Sequence, residues 1–107
     1  MKKVVKFGGS SLASAEQFKK VGRIIRADKS RMFVIPSAPG KRSSGDTKVT
    51  DMLYSCYGAA IREKKFTEQM NAIKERYQEI IDGLGLSLSL DVDVYHVEGF
   101  STERMSK

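Results

Sequence analysis

Two periods alternate along the first third of the chain. Lys3 to Phe7 carries Val4-Val5 and reads as a short strand suited to the centre of a parallel sheet. Arg31 to Pro36 carries the continuous apolar run Met32-Phe33-Val34-Ile35, which predicts a second buried strand. Between them Phe18, Val21, Ile24 and Ile25 recur at helical spacing, while Lys19, Lys20, Arg23 and Arg26 fall on the opposite side. Ser14 followed by Gln17 is a capping-box signature, so a helix is expected from about Ala15 to Asp28. Gly22 inside it costs about 1 kcal/mol relative to alanine, and close packing on the sheet is its expected role. The strand–helix–strand order implies a right-handed parallel crossover. The loops after the two strands should therefore be neighbours at the carboxyl ends, where ligands gather in such units.

The stretch Gly40 to Lys48 is polar and basic and reads as a mobile surface loop. Thr50 or Asp51 can cap the next helix, in which Leu53, Cys56, Tyr57 and Ala60 fall on one side with Met52 and Ala59 beside them. A third helix is expected from about Phe66 to Asp82. Its apolar positions Phe66, Met70, Ile73, Tyr77, Ile80, Ile81 and Leu84 step by threes and fours, and Gly83 or Gly85 is a natural stop. A stripe at this spacing is core or partner-helix packing rather than a ligand site. Leu86, Leu88, Leu90, Val92, Val94 and Val97 leave strand and loop equally open, and Ser101 to Lys107 reads as a tail.

Composition narrows the partners. At 107 residues the chain holds one domain or part of one, and its net charge of +6 suits an anionic partner. The cations are scattered along helical faces and no aromatic stacking set lies among them, so nucleic acid is not expected. A single cysteine, Cys56, excludes an internal disulfide and reads as core packing in a reducing compartment. The lone His96 offers neither a second histidine for a metal nor a Ser-His-Asp arrangement. Lys6 and the glycines interrupt any signal-peptide core after Met1-Lys2-Lys3, and no apolar run reaches membrane-span length. A soluble, cytoplasmic protein without a membrane partner is the expectation.

Candidate chemistry begins at Lys6-Phe7-Gly8-Gly9-Ser10-Ser11. Adjacent glycines let backbone approach a ligand, amides at a strand-to-helix junction suit an anion, and Lys6 adds a mobile charge. A plain Gly-Gly turn after a basic strand explains the same residues. Gly40 and Gly45 have Walker A spacing, but Asp46-Thr47 stands where Lys-Ser/Thr is needed, and an acid there would repel phosphate. No Gly-x-Gly-x-x-Gly fingerprint is present. What remains is one polar loop offering Lys6, Gly8, Gly9 and Ser10, and another offering Ser37, Thr50 and Asp51.

Lys6-Phe7-Gly8-Gly9-Ser10-Ser11, then Val34-Ile35-Pro36-Ser37-Ala38-Pro39-Gly40, then Val49-Thr50-Asp51-Met52-Leu53 closely resemble, in order and spacing, the start of aspartate kinase, a member of the amino-acid kinase superfamily. The resemblance spans Val4 to Tyr57. It implies an α/β fold, the three-layer α/β/α sandwich with a parallel central sheet, of which residues 1–107 would be the N-terminal part without a regulatory ACT domain. It also implies transfer of the ATP γ-phosphoryl group to the side-chain carboxylate of L-aspartate, the first step toward lysine, threonine and methionine, in a homo-oligomer. By the same resemblance Lys6 is catalytic, and Lys6, Phe7, Gly8, Gly9 and Ser10 hold ATP phosphates. Ser37 and Thr50 lie near aspartate, and Mg2+ is held through the nucleotide phosphates rather than by protein ligands. The basic insertion Lys41 to Lys48 departs from many family members and could act as a lid. Family members are several times longer, so the isolated chain is expected to be inactive, a truncation or a short divergent paralogue. The alternative is a non-catalytic binding or self-association module that keeps the first βαβ unit.

Overall fold

A computed structural model describes residues 1–62 and 64–90. Its elements are β1 (Lys3–Phe7), a 3₁₀ turn (Gly9–Leu12), α1 (Ala15–Arg26), β2 (Arg31–Pro36), α2 (Val49–Ile61) and α3 (Thr67–Gly83). The chain divides into two compact units, Met1–Thr50 and a second that begins at Asp51. The predicted α/β character holds, with both strands and all three helices within a few residues of their expected bounds.

In the first unit β1 and β2 pair in parallel, with Val4 opposite Phe33, Val5 opposite Val34, Lys6 opposite Ile35 and Phe7 opposite Pro36. Lys3 faces Arg31, so the register slips by one residue at Met32. Parallel pairing of consecutive strands requires a crossover, and α1 supplies it. Ser14 caps α1 by accepting from the Gln17 N–H at 3.4 Å, as the capping signature predicts. Beyond the other end of α1, the Arg31 guanidinium donates to the Ile24 carbonyl, satisfying one of the acceptors that a helix C-terminus leaves open.

Asp28 anchors the amino ends of the strands, a role the sequence reading did not assign. Its carboxylate accepts from the Lys3 Nζ at 2.8 Å, the Ser30 N–H at 2.9 Å and the Ser30 hydroxyl at 2.6 Å, while the Lys3 N–H donates to the Ser30 carbonyl at 2.6 Å. The Lys3 ammonium, then the Ser30 hydroxyl and N–H, hold the Asp28 carboxyl well below the usual carboxylate range. A depressed folded-state pKa contributes stability that is complete above the unfolded value of about 3.9 and is lost as pH falls toward the folded value. Asp28→Asn should therefore lower stability at neutral pH and flatten the acid limb of a pH titration followed by circular dichroism. An unchanged acid limb would remove Asp28 from this role.

The buried-strand expectation fails for β2. Met32, Phe33, Val34 and Ile35 are 57%, 51%, 39% and 52% exposed, and Val4 is exposed too. Successive strand residues point to opposite faces, so both faces of this ribbon are open. The reason is the count of strands: with two in the sheet, each has one neighbour among the described residues. The core of this unit lies instead at Leu12, Ala13, Val21 and Val49. Ile24, expected on the inner stripe of α1, is exposed for the same lack of cover.

In the second unit Ala59, Met70, Ile73, Ile80 and Ile81 form the core. On α2 the covered arc is Met52, Cys56 and Ala59 at helical spacing, whereas Leu53 and Tyr57 are exposed, so the buried face sits slightly round from the expected one. Neither Thr50 nor Asp51 is the cap, because α2 already begins at Val49. Asp51 sits in the first turn, where a negative charge suits the helix dipole. On α3, Gly85 rather than Gly83 makes the stop: its φ is +68°, its N–H donates to Asp82, and the Leu86 N–H donates to Ile81 at 3.1 Å, a Schellman ending. Gly85→Ala should destabilise by about 1–2 kcal/mol through the left-handed conformation, read as a lower thermal midpoint. Residues 86–90 are irregular, which settles that part of the open alternative as loop. Val92, Val94, Val97, His96 and the tail from Ser101 lie outside the described residues.

Candidate phosphate site

Lys6, Phe7, Gly8, Gly9, Ser10, Ser37 and Thr50 lie in the first unit, whereas Asp51, offered beside Thr50, begins the second. The carboxyl ends of β1 and β2 stand side by side, since Phe7 pairs with Pro36. The Ser37 N–H then donates to the Phe7 carbonyl at 3.0 Å, and the Gly40 N–H to the Gly9 carbonyl at 2.7 Å. The Val49 N–H closes on the Pro39 carbonyl at 2.9 Å, which brings Thr50 in at the start of α2. Three segments distant in sequence, Lys6–Ser10, Ser37–Gly40 and Val49–Thr50, thus converge through main-chain bonds alone. Lys6, Gly8, Ser10, Ser37 and Thr50 are exposed, while Phe7 and Gly9 are half-buried.

The glycines differ in what holds them. Gly8 is extended, with φ −75° and ψ 173°, and a Cβ there would meet nothing within 4 Å. Its backbone conformation is open to any residue, and no neighbour among the described residues requires a glycine. Gly9 is tighter: its Cβ would lie 3.2 Å from the Ala38 oxygen and 3.2 Å from the Gly40 Cα. Gly40 is tightest, with a Cβ placed 2.6 Å from the Gly9 carbonyl carbon, 2.8 Å from its oxygen and 2.9 Å from the Ser10 nitrogen. All three are backbone atoms. In sequence Gly40 stands out as a Walker A candidate with Gly45 and as part of the second loop; a Pro-Gly pair just past a strand end is the signal for its close approach.

The loop 41–48 is exposed apart from the half-buried Asp46, as a surface loop should be, but it carries its own structure. Asp46 accepts from the Arg42 N–H at 3.0 Å, from Nε at 2.6 Å and, through its other oxygen, from the guanidinium NH2 at 3.0 Å, and the Asp46 N–H donates to the Ser43 carbonyl at 3.1 Å. Arg42 holds the Asp46 carboxyl well below the usual carboxylate range. The acid that the Walker comparison set against phosphate has its charge matched within the loop.

Among the described residues no three His, Cys, Asp or Glu side chains gather as a metal site, and no helix is long and apolar enough to cross a membrane. A cavity of about 360 Å³ lies in the second unit, lined by Tyr54, Gly58, Arg62, Lys65 and Gln69 among others, and none of the residues named for the site lines it.

Residues 1–97 match the model of the amino acid kinase family. Aspartokinase 3 of Bacillus subtilis is 47% identical over 88 residues, which are 82% of this chain and 19% of that protein. The aspartokinase of Chlamydia pneumoniae is 34% identical over 87 residues, 80% of this chain and 18% of that protein. The crystal structure of Clostridium acetobutylicum aspartate kinase superposes with a TM-score of 0.87 at 42% identity, covering 94% of this chain and 24% of that one. The chain thus spans about a fifth of the length of the curated relatives it matches. With its parallel strand ends, its Gly8-Gly9 turn and a family match over residues 1–97, the chain belongs to the amino acid kinase family.

Proposed function

We propose that the chain is the N-terminal portion of an aspartate kinase, and that the Lys6–Ser10 turn holds the phosphates of ATP while Ser37 and Thr50 lie on the aspartate side. The observation that carries this reading is Gly8: a glycine in an extended conformation with open space where its Cβ would be has no explanation among the described residues, whereas an approaching phosphate supplies one. The chemistry fits the residues. Phosphoryl transfer asks a protein mainly to position two anions and to balance charge that builds on the equatorial oxygens. Lys6 lies exposed at the strand end, and no side chain caps the start of the 3₁₀ turn, where a helix leaves its first amides open. Bound Mg2+ would neutralise phosphate charge and would be held through the nucleotide phosphates, as this small hard cation usually is. The product would be 4-phospho-L-aspartate, leading to lysine, threonine and methionine, in a cytoplasmic homo-oligomer.

The chain alone should be inactive. Incubated with L-aspartate, Mg-ATP and hydroxylamine, it should yield no aspartyl hydroxamate; robust turnover would overturn the claim that further chain is needed. The exposed apolar residues Val4 and Met32 to Ile35 favour a second reading, a non-catalytic module that self-associates through its open strand ribbon. Light scattering separates the two, since a folded monomer counts against self-association.

A further inference from the structure

The roots of the basic loop 41–48 lie at the strand ends that carry the glycine turn. We propose that Lys41 and Lys48 are a second cationic arm of the phosphate site, which takes the polyphosphate tail of a nucleotide together with the Lys6–Ser10 turn. The inference rests on the reading of that turn as a phosphate site. Gly40 touches Gly9 backbone to backbone, and its N–H is bonded to the Gly9 carbonyl at 2.7 Å. Lys41 is the next residue, one peptide or about 3.8 Å of Cα separation away. At the other root, the Val49 N–H is fixed to the Pro39 carbonyl at 2.9 Å, and Lys48 is the residue before it. Both lysines therefore leave the main chain where the second loop meets the glycine turn, on flexible four-carbon stems that suit a point charge seeking phosphate.

The interior of the loop points the same way. Arg42 and Asp46 match each other's charge across three hydrogen bonds and brace the turn between the two lysines. Lys41 and Lys48 are exposed and form no ion pair among the described residues, so the loop offers a net charge of +2 at its roots. A flexible unbraced loop would lose more entropy on closing over an anion; the Arg42–Asp46 brace removes part of that cost before binding.

The test measures binding of inorganic tripolyphosphate, and separately Mg-ATP, to the 107-residue chain by calorimetry at two salt concentrations. Lys41→Ala/Lys48→Ala should weaken tripolyphosphate at least about tenfold and reduce its salt dependence. Lys19→Ala/Lys20→Ala removes the same charge from the exposed side of α1 and should leave affinity within about twofold. Equal weakening by the two double variants would overturn the proposal in favour of net charge. Undiminished binding by Lys41→Ala/Lys48→Ala, with loss in Lys6→Ala, would overturn the loop while sparing the glycine turn. Absence of binding by the unmodified chain would overturn the loop's role in this chain, and the turn itself would then be judged by catalysis in a longer relative. All these lysines are exposed, so circular dichroism should show the same fold throughout.

Discussion

Lys6→Ala should lower kcat about 10²- to 10³-fold in a chimera where this chain replaces the aligned segment of Bacillus subtilis Aspartokinase 3. The expectation follows from the position of Lys6, exposed at the carboxyl end of β1 beside the turn proposed to hold the transferring phosphoryl group. A charge that matters most as the equatorial oxygens gain negative charge stabilises the transition state more than the ground state, so kcat should fall further than KM for ATP rises. Stability should move by no more than about 0.5 kcal/mol, the usual range for an exposed position without tertiary partners. An unchanged kcat would remove Lys6 from catalysis.

Gly40→Ala and Gly8→Ala should part in opposite directions. At Gly40 the added methyl meets the Gly9 carbonyl carbon and oxygen at 2.6 and 2.8 Å and the Ser10 nitrogen at 2.9 Å. These atoms belong to backbone and cannot rotate aside, so the two turns must separate, at a cost of about 1–3 kcal/mol. For a small domain of 60–100 residues that corresponds to a fall in Tm of roughly 4–8 °C per kcal/mol. At Gly8 the same methyl enters open space at an extended φ, so Tm should hold or rise, with up to about 1 kcal/mol gained from the stiffer unfolded chain. Its penalty should appear in phosphate affinity. Thermal melts of both variants, with tripolyphosphate titrations of Gly8→Ala, check the pair: a stable Gly40→Ala would contradict the close approach, and full affinity in Gly8→Ala would contradict the ligand-facing role.

The local elements were legible because their signals are local. Val4-Val5 and Met32 to Ile35 mark strands, Ser14 and Gln17 mark the start of α1, and the threes and fours of Met70 to Ile81 mark α3. Burial was less legible, because cover comes from elsewhere. An apolar run such as Met32 to Ile35 states what would be buried in a complete sheet, and two strands leave it open. Within the site, the Lys6–Ser10 turn and its neighbourhood with Ser37 followed from strand order. The Gly9–Gly40 contact, the Asp28 anchor and the Arg42–Asp46 brace did not, since each depends on the distance between atoms that composition and period leave free.

The most direct measurement is aspartyl hydroxamate formation by the same chimera, with hydroxylamine as trap and ATP as phosphoryl donor. The proposed role of the Lys6–Ser10 turn predicts ATP-dependent hydroxamate from L-aspartate, lost in Lys6→Ala. A folded chimera that binds ATP and aspartate yet forms no hydroxamate, or one whose turnover survives Lys6→Ala, would contradict it.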